Sequence, residues 1–323
     1  MEMPQVSVII PAYNVARYLE FALVSLVRQT YRCFEALIVD DGSTDNTAKI
    51  AMDFCRRDSR FRLLQKSNGG LSSARNYGIK QALGKYIALL DGDDVYCKEK
   101  LATHVRILED LERVGVVYSA SKAIRDDGKE TFMTISGKPV NRDPVIALLC
   151  KNFIVHGSNA VFRRRLIEEV GEFDESLRSC EDVDFWLRIA TTRRWHFYRL
   201  SRVSCCYRIR PSGLSFNVRQ MEESRQKVIE TAYQRSPETI APWLDTARAY
   251  TYRYLGRVSL SSGDRRLASS YLKRAWQADS SIFWRDRSSF FTAIAIILAP
   301  VAQLVIGKIL GIAEPKPENY LSD

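Results

Sequence analysis

Two pairs or clusters of acids stand directly after apolar runs: Asp40-Asp41 after Ala36–Val39, and Asp91-Gly92-Asp93-Asp94 after Tyr86–Leu90. A third acidic run, Glu181-Asp182-Val183-Asp184, opens an amphipathic segment. Carboxylates crowded together need a cation or several donors, because burying like charges is costly. Residues two apart in an extended chain point to the same side, so Asp91 and Asp93 can both face one ion. An all-oxygen donor set suits Mg2+ or Mn2+, and such an ion would neutralise a diphosphate and stabilise it as a leaving group. Asp94 then orients the turn rather than binding the ion. Taken singly, each acidic turn is equally explained as a cap or Asx-turn; two at one sheet edge imply a polar site.

Other segments could serve the same chemistry. In Asn68-Gly69-Gly70-Leu71-Ser72-Ser73-Ala74-Arg75-Asn76 the glycines permit close backbone approach. Ser72 is placed to cap a helix whose N-terminus favours an anion. Arg75 reaches a phosphate or clamps an acid. Pro11-Ala12-Tyr13-Asn14 follows the first apolar run, where Tyr13 either flanks a nucleobase or packs. No G-x-G-x-x-G stands there and no G-x-x-x-x-G-K-[ST] occurs anywhere, which disfavours a dinucleotide-binding oxidoreductase and a P-loop nucleotidase. The three histidines are far apart in sequence and no C-x-x-C occurs among the seven cysteines. A zinc site is therefore poorly supported, and reduced thiols in a cytosolic compartment are expected.

The elements that must position these residues alternate. Val6–Ile10, Ala36–Val39, Phe61–Leu64, Tyr86–Leu90 and Val114–Tyr118 read as short buried strands, and residues 16–30, about 45–56, 72–83 and 98–110 as amphipathic helices. Continuous apolar strands separated by such helices predict an α/β fold, a mostly parallel sheet flanked by helices. Ligands bind such sheets at the ends of the strands, where the acids lie. Residues 125–144 read as a loop or hairpin, 157–163 as a strand, 182–191 as a helix, and 196–209 as one or two strands with a turn at Ser201. Helical pattern resumes near 216. Residues 247–279, around Gly263-Asp264, read as a helical hairpin of tetratricopeptide type. Phe290–Leu310 has Lys308 as its only charge and just reaches the length of a membrane span, roughly 20 residues. Pro300 and Gln303 inside it favour a kinked or shallow element. The net charge is +10, which favours anionic partners. It is not laid down as one Lys/Arg tract, and nucleic acid is not expected.

Val6-Ser-Val-Ile-Ile-Pro-Ala-Tyr-Asn14, Gln29-Thr30, Val39-Asp-Asp-Gly-Ser-Thr-Asp45, Asn68–Asn76 and Leu90-Asp-Gly-Asp-Asp94 together resemble family 2 glycosyltransferases, whose fold is named GT-A. Five motifs recur in the family's order. The resemblance implies a catalytic domain over 1–220, divided into a nucleotide-binding half (1–120) and an acceptor half (121–220). A helical extension (221–285), a hydrophobic helix (286–311) and a tail (312–323) would follow. It implies that Pro11, Ala12 and Tyr13 lie beside the nucleoside and that Asp41 binds the base. Arg75 lies near the nucleotide, Asp91 near ribose and metal, and Asp93 binds the metal directly. The family's Glu-Asp pair falls on Glu181-Asp182, with Asp182 as catalytic base; read without the family, these acids are favourable first-turn residues of a helix. His156, Ser158, Asn159 and Trp186 are assigned to the acceptor side, and Arg208 or Arg210 to a loop over the leaving diphosphate. The Gln-x-x-Arg-Trp pattern of processive enzymes is absent near that helix, so addition of a single sugar is expected. The expectation is an inverting, Mn2+- or Mg2+-dependent transferase using a UDP-, dTDP- or GDP-linked sugar and a glycan or lipid-linked acceptor. It would work at the inner face of the cell membrane, with self-association left open. A sugar nucleotidyltransferase and a non-catalytic membrane-associated scaffold are the alternatives.

Overall fold

The computed structural model describes residues 3–136, 143–210, 213 and 217–310, except the side chains of Ser136 and of 300–310. The chain divides into two compact units, 1–243 and 244–323.

The first unit opens with β1 (Val6–Ala12), α1 (Ala16–Val27), β2 (Phe34–Asp40), α2 (Thr47–Arg57), β3 (Phe61–Gln65), α3 (Leu71–Lys80) and β4 (Tyr86–Leu89). The strands lie parallel in the order β3-β2-β1-β4, with Val6 of β1 opposite both Phe34 and Tyr86. Every residue of β1, β2 and β4 is buried, which is why these segments read as largely apolar runs: both faces are covered. Val6, Val8 and Ile10 pack in one core with Leu19, Leu23 and Leu26 of α1. On the other face α3 comes so close that a Cβ on Gly78 would meet Ile9 Cγ2 at 2.8 Å. All four strands therefore release the chain at one edge, into residues 13–15, 41–46, 66–70 and 90–94.

The second half adds β5 (Val95–Tyr96), α4 (Lys100–Asp110), β6 (Val114–Ile124), β7 (Glu130–Ser136), α5 (Pro144–Cys150) and a 3-10 turn at Gly157–Asn159. Then come β8 (Val161–Arg163), α6 (Arg165–Val170), α7 (Glu181–Thr191) and β9 (His196–Arg208). The sheet continues β4-β8-β6-β9-β5, with β7 on β6. β8 is antiparallel to both β4 and β6, and β5 to β9, while β9 is parallel to β6. The mostly parallel arrangement thus describes the first four strands, and the sheet as a whole is mixed. The reason is local: β8 begins at the strand-end edge, after the 3-10 turn, and must run back against β4. The expected turn at Ser201 is instead a bulge within one strand. Between the pairs Tyr118–Arg199 and Ala120–Val203, one residue of β6 faces three of β9.

α8 (Val218–Arg235) and the short α9 (Pro237–Ile240) complete this unit. The first compact unit thus runs to residue 243. α8 buries Val228, Ile229 and Ala232. Its Arg225 donates to the carbonyls of Leu148 and Leu149, and Arg235 pairs with Asp184 at 2.9 Å.

In the second unit α10 (Leu244–Ser261) and α11 (Arg265–Asp279) pack as a helical hairpin. Gly263 turns it at φ 84°, and Asp264 caps α11 by accepting from Leu267 N at 2.9 Å. α12 (Ile282–Arg285) and α13 (Arg287–Leu310) follow. α13 lies against both hairpin helices, with Ile296 buried over Gly256. Among the described residues no helix is long and apolar enough to cross a membrane; the side chains from Pro300 on and the tail 312–323 lie outside them.

Candidate active site

Acids that the sequence separates by ninety residues, Asp91 and Glu181, converge at the shared strand edge. Arg75, 1% exposed, is the link. Its guanidinium donates to Asp91 Oδ1 at 2.8 Å and to Glu181 Oε1 at 2.5 Å. Burial opposes its charge, but Asp91 and then Glu181 outweigh that and hold it firmly protonated. Gly157 lets this happen: a Cβ there would sit 2.5 Å from Arg75 Nη2.

The turn after β4 is built from its own ends and from the loop facing it. Asp94 N–H donates to the Asp91 carbonyl at 2.9 Å, and Asp91 N–H donates to Ser158 Oγ at 2.9 Å. Asp91 keeps a quarter of its side chain exposed, and Asp93 15%. Asp93 pairs with Arg210 at 2.6 Å. Burial pushes the Asp93 carboxyl up, Arg210 pulls it back, and Asp91 adds to the rise. Asp94 is fully buried and raised further, by burial and then by Asp93 and Asp91. It anchors the turn by accepting from Arg208 N at 2.9 Å.

Asp182 lies beside Glu181 at the start of α7. Its Oδ2 accepts from Asn152 Nδ2 at 3.0 Å and its Oδ1 from Val183 N at 2.8 Å. Burial, reinforced by Glu181 and opposed by Arg75, raises its carboxyl to about 7, where a general base works best near neutral pH. Two residues in left-handed backbone flank this region, Cys180 (φ 58°) before Glu181 and Val155 (φ 83°) before His156. A β-branched residue there is strained, and such strain clusters at functional sites. Asp184 is occupied elsewhere, between Arg188 and Arg235.

Pro11 and Ala12 are buried at the end of β1 and Tyr13 is half exposed. Asp41 is 2% exposed, and its carboxylate already accepts from Gly69 N, Gly70 N (2.8 Å) and Lys66 Nζ (2.8 Å). The direct role expected of it, binding the base, thus competes with its hold on the glycine loop.

His156, Ser158, Asn159 and Trp186, expected on the acceptor side, are each buried. The Asn159 side chain spends its hydrogen bonds on Ser119 and the Ile154 carbonyl. Trp186 packs against Phe162 and Phe185. Ser158 holds the Asp91 turn, and His156 meets Ser121 Oγ at 2.7 Å and stacks on Tyr207. Burial holds His156 neutral, down to about 3. Arg208, expected over the leaving diphosphate, is buried, and its side chain donates to the carbonyls of Asp93, Arg125 and Asp126. Sequence reasoning missed Asn152, Lys66 and Lys100. Lys100 is 1% exposed, donates to the Asn159 carbonyl at 2.8 Å, and is lowered by burial to about 8. No local pattern marks it, because Lys at the start of a helix is ordinarily solvated. Asn152 did carry a signal, an Asx-turn in which it accepts from Ile154 N and Val155 N.

The fold has counterparts in known proteins. The model of the family described as "Glycosyl transferase family 2" matches residues 7–171. An uncharacterized glycosyltransferase of Rickettsia felis is 34% identical over 199 residues, 60% of this chain and 33% of the relative. The uncharacterized glycosyltransferase EpsJ of Bacillus subtilis is 35% identical over 192 residues, 57% and 55% of the two chains. This chain spans about a third of the length of the first of these. Among solved structures, the mannosyltransferase PcManGT from Pyrobaculum calidifontis, in complex with GDP-Man and Mn2+, superposes with a TM-score of 0.59 at 18% identity, covering 95% of this chain and 89% of that one. S. aureus TarS in complex with UDP-GlcNAc gives a TM-score of 0.55 at 20% identity over 86% and 91%. With the family's model spanning half its length and its acids gathered at one strand edge, the chain belongs to glycosyl transferase family 2 and has the GT-A fold.

Proposed function

We propose that the enzyme transfers a single sugar, with inversion at the anomeric carbon, from a nucleoside-diphosphate sugar to a glycan or lipid-linked acceptor. The observation that carries this reading is the chain Asp182, Glu181, Arg75, Asp91. One buried guanidinium couples the candidate base to the turn that would hold the donor. The acceptor hydroxyl attacks the anomeric carbon while Asp182 takes its proton, and the bond to the diphosphate breaks with its electron pair leaving on the diphosphate oxygen. Glu181 fixes Arg75, and Arg75 orients Asp91 toward the ribose and the diphosphate.

The carboxylates fit a divalent cation. The donors are all hard oxygens, Arg75 and Arg210 each engage one oxygen of Asp91 and Asp93, and burial leaves the Asp93 carboxyl reluctant to ionise without more positive charge. Asp93, with Asp91 beside it, would hold Mn2+ or Mg2+, which supplies charge neutralisation of the diphosphate. Arg210, a quarter exposed, is free to turn from Asp93 to the leaving group. The nucleoside is assigned to Pro11, Ala12, Tyr13 and the Asp41–Gly70 edge. The UDP-GlcNAc of TarS and the GDP-Man and Mn2+ of PcManGT support a nucleotide-sugar donor with UDP, dTDP or GDP. We place the enzyme in the cytoplasm at the inner face of the cell membrane.

The test is a panel of nucleotide sugars scored by thermal shift with and without Mn2+ or Mg2+, followed by transfer assays with the donor that stabilises the protein. Release of the nucleoside diphosphate and an inverted product are expected. Chelation, or Asp93→Asn, should lower transfer by about 10²-fold or more. Full transfer under chelation and in Asp93→Asn would refute metal dependence, and release of pyrophosphate would refute sugar transfer.

A further inference from the structure

The second unit exposes an unusual amount of large apolar surface. Trp276 is 51% exposed, Trp284 75%, Phe291 64%, Ile297 62% and Leu298 52%. These side chains are contiguous. Trp276 and Trp284 have ring centroids 6.5 Å apart, and Trp284, Phe290 and Phe291 line one groove with Arg287. Phe290, Phe291, Ile297 and Leu298 recur at a spacing of seven and so share one face of α13. Scattered exposed apolar residues are ordinary, but a continuous stripe marks an interaction surface.

Charge selects the partner. Residues 244–310 hold ten Lys or Arg against four Asp or Glu. The four acids are engaged: Asp264 and Asp286 cap helices, Asp279 accepts from Thr246 and Ser281, and Asp245 pairs with Arg248. Lys273, beside Trp276, and Arg285 and Arg287, beside Trp284, are exposed and border the stripe. Tryptophan and basic residues together suit the boundary between lipid tails and anionic headgroups. A second copy fits less well, because a twofold contact sets one patch against itself and would bring this basic border up to its like.

We propose that the aromatic stripe of Trp276, Trp284, Phe290 and Phe291, bordered by Lys273, Arg285 and Arg287, seats the second unit on an anionic lipid surface with α13 lying in the plane of the interface. It deepens the membrane placement given above and is tested without donor or acceptor, so its failure and a failure of sugar transfer are separate results. The full chain is sedimented with vesicles of phosphatidylcholine mixed with phosphatidylglycerol, and with pure phosphatidylcholine. Binding to the anionic vesicles, weakened by salt, is expected, with a blue shift of tryptophan emission and quenching by brominated acyl chains. The double variant Trp284→Ala/Phe291→Ala should lower partition at least tenfold. Arg285→Glu/Arg287→Glu should erase the preference for anionic lipid, both with unchanged far-UV circular dichroism. Absence of partition would overturn the proposal, as would equal partition of wild type and the aromatic variant. So would concentration-dependent dimers, abolished by the same aromatic variant, in a chain that vesicles do not capture; that result would assign the stripe to a second copy.

Discussion

Replacing Asp182 with Asn should leave nucleotide-sugar binding intact and lower sugar transfer by about 10³-fold, within the range that a positioned general base contributes. The amide can still accept from Asn152 Nδ2 or Val183 N, the two donors that hold the carboxylate now, so the geometry survives while the proton acceptor is lost. The pH profile carries the same assignment. With the carboxyl raised to about 7, wild-type transfer should climb as pH rises through 7 and level off above it. That limb should vanish in the variant's residual activity. Stability should move the opposite way. Below the ordinary carboxylate range Asp182 is protonated whether the chain is folded or not, and contributes nothing. As pH rises from about 4 toward 7 the unfolded chain ionises and the folded one does not, so the folded state loses stability, by a few kcal/mol once pH exceeds 7. Asp182→Asn should therefore melt higher than wild type at pH 8 and alike at pH 4. Measured transfer rates, a calorimetric titration of the donor and melting curves at the two pH values decide it. Undiminished transfer would remove Asp182 from the role of base.

Arg75 should be the residue whose loss the fold tolerates least. Arg75→Met would leave Glu181, 8% exposed, and Asp91, a quarter exposed, facing each other without their cation. Breaking a buried ion pair from one side costs about 3 kcal/mol or more, which for a unit of this size lowers the melting temperature by about 10 °C. Transfer should fall with it, because Asp91 and the Glu181–Asp182 pair lose the group that sets their separation. Arg75→Lys should recover only part of either quantity, since an ammonium cannot reach in two directions as the planar fork does. Lowering the pH should return some stability to Arg75→Met, because an acid without a cation is cheaper to bury protonated. A variant with wild-type melting and wild-type transfer would show that the two carboxylates are held by something other than Arg75.

Much of this molecule is visible in its linear pattern, and the reason differs from part to part. The strands β1, β2 and β4 are buried on both faces, so nearly every position must be apolar, and the runs announce themselves. Asp41, Asp91 and Asp93 follow such runs, so their place at the strand-end edge followed from the topology of a parallel sheet. The second half gave weaker signals because its strands are short or irregular. β5 has two residues, β8 three, and β9 carries a bulge. Their pairing depends on non-local partners that no local window contains.

What the sequence by itself determined, then, is the family, the α/β architecture of the first four strands, and which acids are available for chemistry. Tertiary structure alone decided how those acids are used. It assigned Arg75 to bridge Asp91 and Glu181, two residues ninety positions apart, and it sealed Asn159, Trp186 and Arg208 inside the protein although their types suited a binding surface. The physical reason is that burial and partner identity belong to the packed chain. A carboxylate, an amide or a guanidinium reads the same in a sequence whether it faces a ligand or a backbone carbonyl, and only the surrounding atoms set its charge, its hydrogen bonds and its reach.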